Sequence, residues 1–184
     1  SGYDLIVAPL LYMTTEGVAE HLKDFVRDGG TLVTTVMSGL ADENDRCIFG
    51  AYPGKLKDLL GIWVEETDAL RPYEKNRMKL SDKLALAKAE YDCGFLCDII
   101  HTEGGAQVLA AYGEDFYAGC PCVTENSYGK GKAYYIGTQP EQAFLDDFME
   151  MVCGGCGLKP ICQTSEDVEV TLRVSEKAEV MFII

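Results

Sequence analysis

The sequence predicts an α/β fold, and three observations predict it. Residues 4–8 (DLIVA) are a short, mostly apolar run of the kind expected of a strand buried on both faces. Val18, Leu22, Phe25 and Val26 then recur at helical spacing. Residues 31–36 (TLVTTV) form a second, β-branched run. Strand, helix and strand in so short a stretch make a βαβ unit, whose two strands pair in parallel.

The remaining elements follow in order. Thr14 or Thr15 caps the first helix, and Gly29-Gly30 ends it through a left-handed cap. The stretch MSGLADENDRCIFGAYPGKLKDLLGIWVEE reads as a long loop leading into a short helix around residues 56–60. Residues 71–92 take no assignment, because SDKLALAKAEY has helix formers without a clean period. Strands are predicted over 95–101 and 108–112, and a further pair over 121–128 and 132–137 is joined by GKGK. Pro140 is placed in the first turn of a final helix. That helix carries Phe144, Leu145, Phe148, Met151 and Val152 on one face and is closed by Gly154-Gly155. Beyond Pro160, Val168, Val170, Leu172 and Val174 alternate with Glu169, Thr171 and Arg173, as in a one-faced antiparallel strand of a different sheet. A domain boundary is expected between Leu158 and Thr164, dividing the chain into residues 1–160 and 161–184.

The chain starts without methionine at SGYDLIVAPL and closes in the apolar run EVMFII, which predicts a piece of a larger protein. Hydrophobic residues make up 47% and charged residues 25%, the balance of a globular domain. With 30 acidic against 16 basic side chains the net charge is −14, which repels phosphate backbones and anionic lipid. Nucleic acid and membrane are therefore not expected as partners, and no apolar run approaches the roughly 20 residues of a membrane span.

Cys47, Cys93, Cys97, Cys120, Cys122, Cys153, Cys156 and Cys162 invite a metal or disulfide reading. Only Cys153 and Cys156 have the two-residue gap of a zinc half-site, and they lack a second such pair. Cys120 and Cys122 would share one face of a strand. The reading preferred is reduced cysteines filling core space in a cytoplasmic protein, with a zinc or redox site as the alternative.

Other motifs are weighed against simpler roles. GKGK at residues 129–132 lacks the spacers and the Ser or Thr of a phosphate loop, and two strands flank it, so it reads as a hairpin turn. Asp42-Glu43, Glu65-Glu66, Glu114-Asp115 and Asp146-Asp147 are adjacent pairs, unlike glycosidase carboxyls about 5–9 Å apart across a sugar. Most read as solvated surface, with Asp146-Asp147 on the polar side of its helix. The DEND at residues 42–45 follows the carboxyl end of a strand, where open α/β sheets place ligands. Docking against a neighbouring domain is preferred there over catalysis. His21 and His101 sit in no metal or triad spacing and read as surface or boundary residues.

Four stretches in order resemble one family: YDLIVAPLLYMTTEGVAEHLKDFVRDGGTLVTTVMSGLADENDRC, LLGIWVEE, EDFYAG at residues 114–119, and GKGKAYYIG. Together they resemble the middle, trimerisation domain of family 42 β-galactosidases, over nearly the whole chain up to Leu158. The tail from Val168 is similar to the start of that family's C-terminal β-sandwich. The resemblance implies a class I glutamine amidotransferase-like (flavodoxin-like) α/β sandwich, here truncated at its amino terminus. Amidotransferases carry a nucleophilic cysteine on a sharp turn after a strand. The matching turn, Val36-Met37-Ser38-Gly39, has no cysteine, and no His-x-Glu pair follows late in the chain. The family's two catalytic glutamates sit on a separate (β/α)8 barrel. The resemblance thus implies a non-catalytic oligomerisation module of a β-galactosidase acting on terminal β-galactosides. Its expected partners are two further copies of itself, in a homotrimer, and the barrel of its own chain. No catalytic, cofactor-binding or metal-binding residue is expected. One alternative is an amidotransferase-like hydrolase with Ser38 or a cysteine as nucleophile and His101 as base. Another is a carbohydrate-binding module stacking sugar on Trp63, Tyr73 or Tyr91.

Overall fold

The computed structural model describes residues 2–50, 52–165 and 168–184. Ser1 at the start of the chain, Ala51 in the stretch read as a long loop, and Glu166 and Asp167 in the tail lie outside the described residues.

The predicted βαβ unit is present: β1 (Leu5–Ala8), α1 (Val18–Arg27) and β2 (Thr31–Thr35), with β1 and β2 parallel in the register Leu5↔Thr31 to Ala8↔Thr34. β1 is not buried on both faces as expected. It has one neighbour and forms the edge of the sheet, which leaves Val7 47% exposed. Neither Thr14 nor Thr15 caps α1 through its side chain; the N-cap is Gly17, in a left-handed conformation. The other end is as predicted. Gly29 is left-handed, with its N–H on the Val26 carbonyl and the Gly30 N–H on the Phe25 carbonyl, the double bond of a Schellman cap.

A 3₁₀ turn (Gly54–Leu56) runs into α2 (Lys57–Leu60), and left-handed Gly61 ends it. Three strands that the sequence reading did not assign come next or close the sheet. β3 (Ile62–Ala69) starts at the end of the stretch read as loop and short helix and runs beyond it, and a register shift between Val64 and Thr67 breaks its alternation. β4 (Asn76–Leu80) lies inside the unassigned stretch, and SDKLALAKAEY holds no helix. β5 runs from Glu90 to Thr102 rather than over 95–101. β6 (Gln107–Tyr112), β7 (Pro121–Tyr128) and β8 (Gly131–Ile136) lie where predicted, and the short β9 (Thr138–Pro140) pairs with β5. Pro140 therefore ends a strand and does not open the helix. α3 spans Gln142–Gly155, starting from Glu141. Its closing glycine is Gly157, left-handed, with Leu158 N–H on the Cys153 carbonyl, rather than Gly154-Gly155.

The sheet order is β1-β2-β8-β7-β6-β4-β5-β3. Only β1–β2 and β2–β8 pair in parallel among the described strands; the other ladders are antiparallel. Strand alternation divides the core between the two faces of this sheet. Leu32, Ala133 and Tyr135 pack with Leu22 and Val26 of α1 and with Leu59 of α2. Val33, Tyr134 and Ile136 pack with Phe144, Phe148 and Val152 of α3. Helices thus cover both faces, as an α/β fold requires. The tail forms its own antiparallel hairpin, β10 (Val170–Val174) and β11 (Glu179–Ile183), in register Val170↔Ile183.

Candidate functional site

β2 ends at Thr35, and the chain turns sharply through Met37, whose φ is +67°. Side chains rarely adopt this conformation, and such a residue at a strand's carboxyl end marks a place to look for chemistry. Ser38 is fully buried in the turn. Its Oγ lies 2.6 Å from the Thr35 carbonyl and 2.6 Å from Thr34 Oγ1, and it accepts the Leu11 N–H at 3.1 Å. All three contacts tie the turn to its own scaffold, and none is to a base. His101, the base considered for Ser38, is engaged at another place. It lies opposite Trp63 in the β3–β5 ladder, stacks on that indole with ring centroids 4.1 Å apart, and sets Nε2 2.7 Å from Glu65. The nucleophile–base pair that a hydrolase needs is not assembled from these residues.

A buried polar network missed by the sequence reading holds the turn instead. Met37 N–H donates to the Tyr52 hydroxyl. Tyr52 donates to Asp98 Oδ2 at 3.0 Å and Tyr135 donates to the same oxygen at 2.6 Å, while Thr67 Oγ1 donates to Oδ1 at 2.6 Å. Asp98 has no exposed surface. Burial pushes its carboxyl up to about 6, against the three hydroxyls, which pull it down. Burial likewise raises Tyr52 and Tyr135, with the nearby Asp98 carboxylate adding to both. The network therefore joins the turn after β2 to β3, β5 and β8. The one available signal was a single aspartate among apolar residues, in CDII.

The acidic pairs engage local partners, and one of them corrects the sequence expectation. Asp42 Oδ1 accepts the N–H groups of Asn44 (2.8 Å) and Arg46 (3.0 Å), so this carboxylate closes its own loop. Those two backbone bonds, Arg46 first, hold it below the usual carboxylate range. Asp147 is not on a purely solvated face, because it accepts a hydrogen bond from the Tyr91 hydroxyl. That bond belongs to the core: Tyr91 is buried and cannot stack on a sugar. Trp63 is occupied by His101, while Tyr73 is exposed, with its hydroxyl on Arg71. His21 is exposed on α1.

GKGK is a hairpin turn between β7 and β8, and its glycines serve packing. A Cβ on Gly131 would lie 2.2 Å from the Gly30 carbonyl oxygen and 2.3 Å from that of Val26. One on Gly129 would lie 2.6 Å from Arg27 backbone. The turn is pressed against the end of α1, where a phosphate would find no room.

The cysteines fall into separate groups. Cys93, Cys97 and Cys122 are buried, Cys120, Cys153 and Cys156 half-buried, and Cys47 and Cys162 exposed. Beside Cys93 lies a cleft of about 360 Å³, lined by Arg71, Lys75, Asp92, Phe95, Gln139 and Glu141. Phe95 stands at its edge with φ +62° and 60% of its surface exposed. Among the described residues no helix is long and apolar enough to cross a membrane.

Comparison with known proteins gives this architecture its context. The chain is 45% identical over all of its 184 residues to the β-galactosidase BgaP of Planococcus sp. (strain L4), and 41% identical to the β-galactosidase LacA of Lactobacillus acidophilus. It spans 27% and 26% of those two proteins, about a quarter of their length. The crystal structure of a β-galactosidase from Bacillus circulans sp. alkalophilus superposes with a TM-score of 0.95 at 42% identity, over 98% of this chain and 27% of that one. A β-galactosidase from the haloarchaeon Halorubrum lacusprofundi shares the fold at 23% identity, with a TM-score of 0.83 over 92% of this chain and 24% of that one. The model of the β-galactosidase trimerisation domain matches residues 1–159, and the chain belongs to that family.

Proposed function

We propose that this chain is the self-associating, non-catalytic module of a β-galactosidase acting on terminal β-galactosides, and that the enzyme is a cytoplasmic homotrimer. The observation that carries the proposal is the family match over residues 1–159 together with identity above 40% to β-galactosidases nearly four times its length. The catalytic carboxylates then belong to a barrel elsewhere in the enzyme. Exposed apolar side chains at and after the edge strand β1, among them Val7, Leu10 and Tyr12, support a role in association. Buried thiols favour a reducing compartment.

We read the larger unit as an amidotransferase-like sandwich over residues 1–160. The parallel β1–α1–β2 unit, helices on both faces and the sharp turn at Met37 support this. Residues 161–184 start a second, β-sandwich domain; their separate sheet and the end of the family match at residue 159 support the division. Light scattering on the full-length enzyme tests the assembly: a trimer is expected, and a monomer across the micromolar range overturns it. The purified chain should not turn over a chromogenic galactoside, and turnover free of host enzyme would place catalysis inside it.

A further inference from the structure

β5 carries a bulge that brings two cysteines together. Cys93 pairs with Pro140 and Gly94 with Gln139, but the next partner of β9, Thr138, faces Cys97. Phe95 and Leu96 thus have no partner on β9, although Leu96 still pairs with Ala69 of β3, and Phe95 lies in the left-handed region. A bulge of two residues leaves the alternation of faces unchanged. Tyr91, Cys93, Cys97 and Ile99 all enter the core under α3, whereas Asp98 and Ile100 point to the opposite side. Four residues apart in sequence, Cys93 and Cys97 therefore stand as same-face neighbours two positions apart. At strand rise that is about 6.6 Å between Cα atoms, and disulfides span about 4.4–6.8 Å. Cys97 Sγ lies 3.5 Å from Thr138 Oγ1; the neighbouring Cys93 thiol holds Cys97 below the ordinary thiol range, while the proximity of Cys97 and burial raise Cys93. Both are free, and Cys93 lines the cleft beside Phe95 while Cys97 lies behind it.

We propose that Cys93 and Cys97 are a redox-active pair, closed to a reversible disulfide by exchange with a small disulfide entering through this cleft. The Cys97 thiolate takes the proton of Cys93, whose sulfur attacks one sulfur of the reagent. A Cys93 mixed disulfide forms and one thiolate leaves. Cys97 then gives its proton to that thiolate and attacks the Cys93 sulfur, expelling the second thiolate. The protein dithiol is oxidised as one disulfide is reduced to two thiols. The new bond staples β5 where Phe95 turns outward.

The test is peptide mapping of the chain after incubation with oxidised glutathione, quenched with acid. Cleavage before aspartate releases residues 92–97, DCGFLC, which hold both cysteines and no other. The expected result is this peptide lighter by two hydrogens, restored by dithiothreitol. Cys97→Ser should trap a glutathione adduct on Cys93. The proposal is overturned if residues 92–97 stay reduced while exposed Cys47 and Cys162 are glutathionylated, or if Cys122 is the residue that pairs. Should Cys97→Ser fail to fold, the map of the unmodified sequence decides alone.

Discussion

Replacing Asp98 with asparagine isolates the cost of one buried carboxyl. Asp98 is fully buried, and its folded value of about 6 lies above the ordinary 3.8. Below the ordinary value the carboxyl is protonated in both folded and unfolded chains and makes no pH-dependent contribution. As pH rises through about 6 the folded chain must release a proton it holds more tightly than the unfolded chain does, so stability falls. At about 1.4 kcal/mol per pKa unit, a shift of roughly two units is worth about 3 kcal/mol between about pH 4 and pH 7.5. The asparagine side chain stays neutral, and its oxygen accepts from Tyr52 and Tyr135 as Oδ2 of Asp98 does. Its amide donates to Thr67 in place of the bond now running the other way. Urea unfolding of both proteins across this pH range measures the difference, in which the other carboxylates cancel. The variant should gain on the parent by about 3 kcal/mol as pH rises. Parallel profiles would refute the reasoning, as would a loss of several kcal/mol for the variant that grows with pH. The latter would mean that hydroxyls hydrogen-bonded to the ionised form outweigh its burial.

Three further substitutions test the packing and the turn. Gly131→Ala sets a methyl group against two backbone carbonyls of α1 and its cap and should cost about 2–3 kcal/mol in urea unfolding. Gly154→Ala, in open space near the end of α3, should instead stabilise by about 0.5–1 kcal/mol. Ser38→Ala takes the acceptor from the Leu11 N–H and should cost about 1–2 kcal/mol of stability.

The sequence by itself determined the elements whose signals are local. The βαβ unit followed from two apolar runs and a helical period, the β7–β8 hairpin from GKGK, and the α3 face from Phe144, Phe148 and Val152. Gly29-Gly30 marked the end of α1 because a left-handed cap is a property of a few neighbouring residues. The family was also legible, through ordered stretches spread along the chain. Tertiary structure decided the rest. β3 lacks clean alternation because a register shift interrupts it, while β4 alternates over only five residues and is defined by pairing with β5 and β6, so pairing supplies what pattern does not. Asp98 is acceptable in an apolar strand only because Tyr52, Thr67 and Tyr135 arrive from distant segments to donate to it. Cys93 and Cys97 become neighbours only because β9 accepts a bulge of two residues. Ser38 and His101, plausible partners on paper, are held apart by hydrogen bonds and stacking that each makes with its own surroundings. Local backbone preference is written in a few adjacent residues, whereas burial, register and the meeting of side chains depend on the whole sheet.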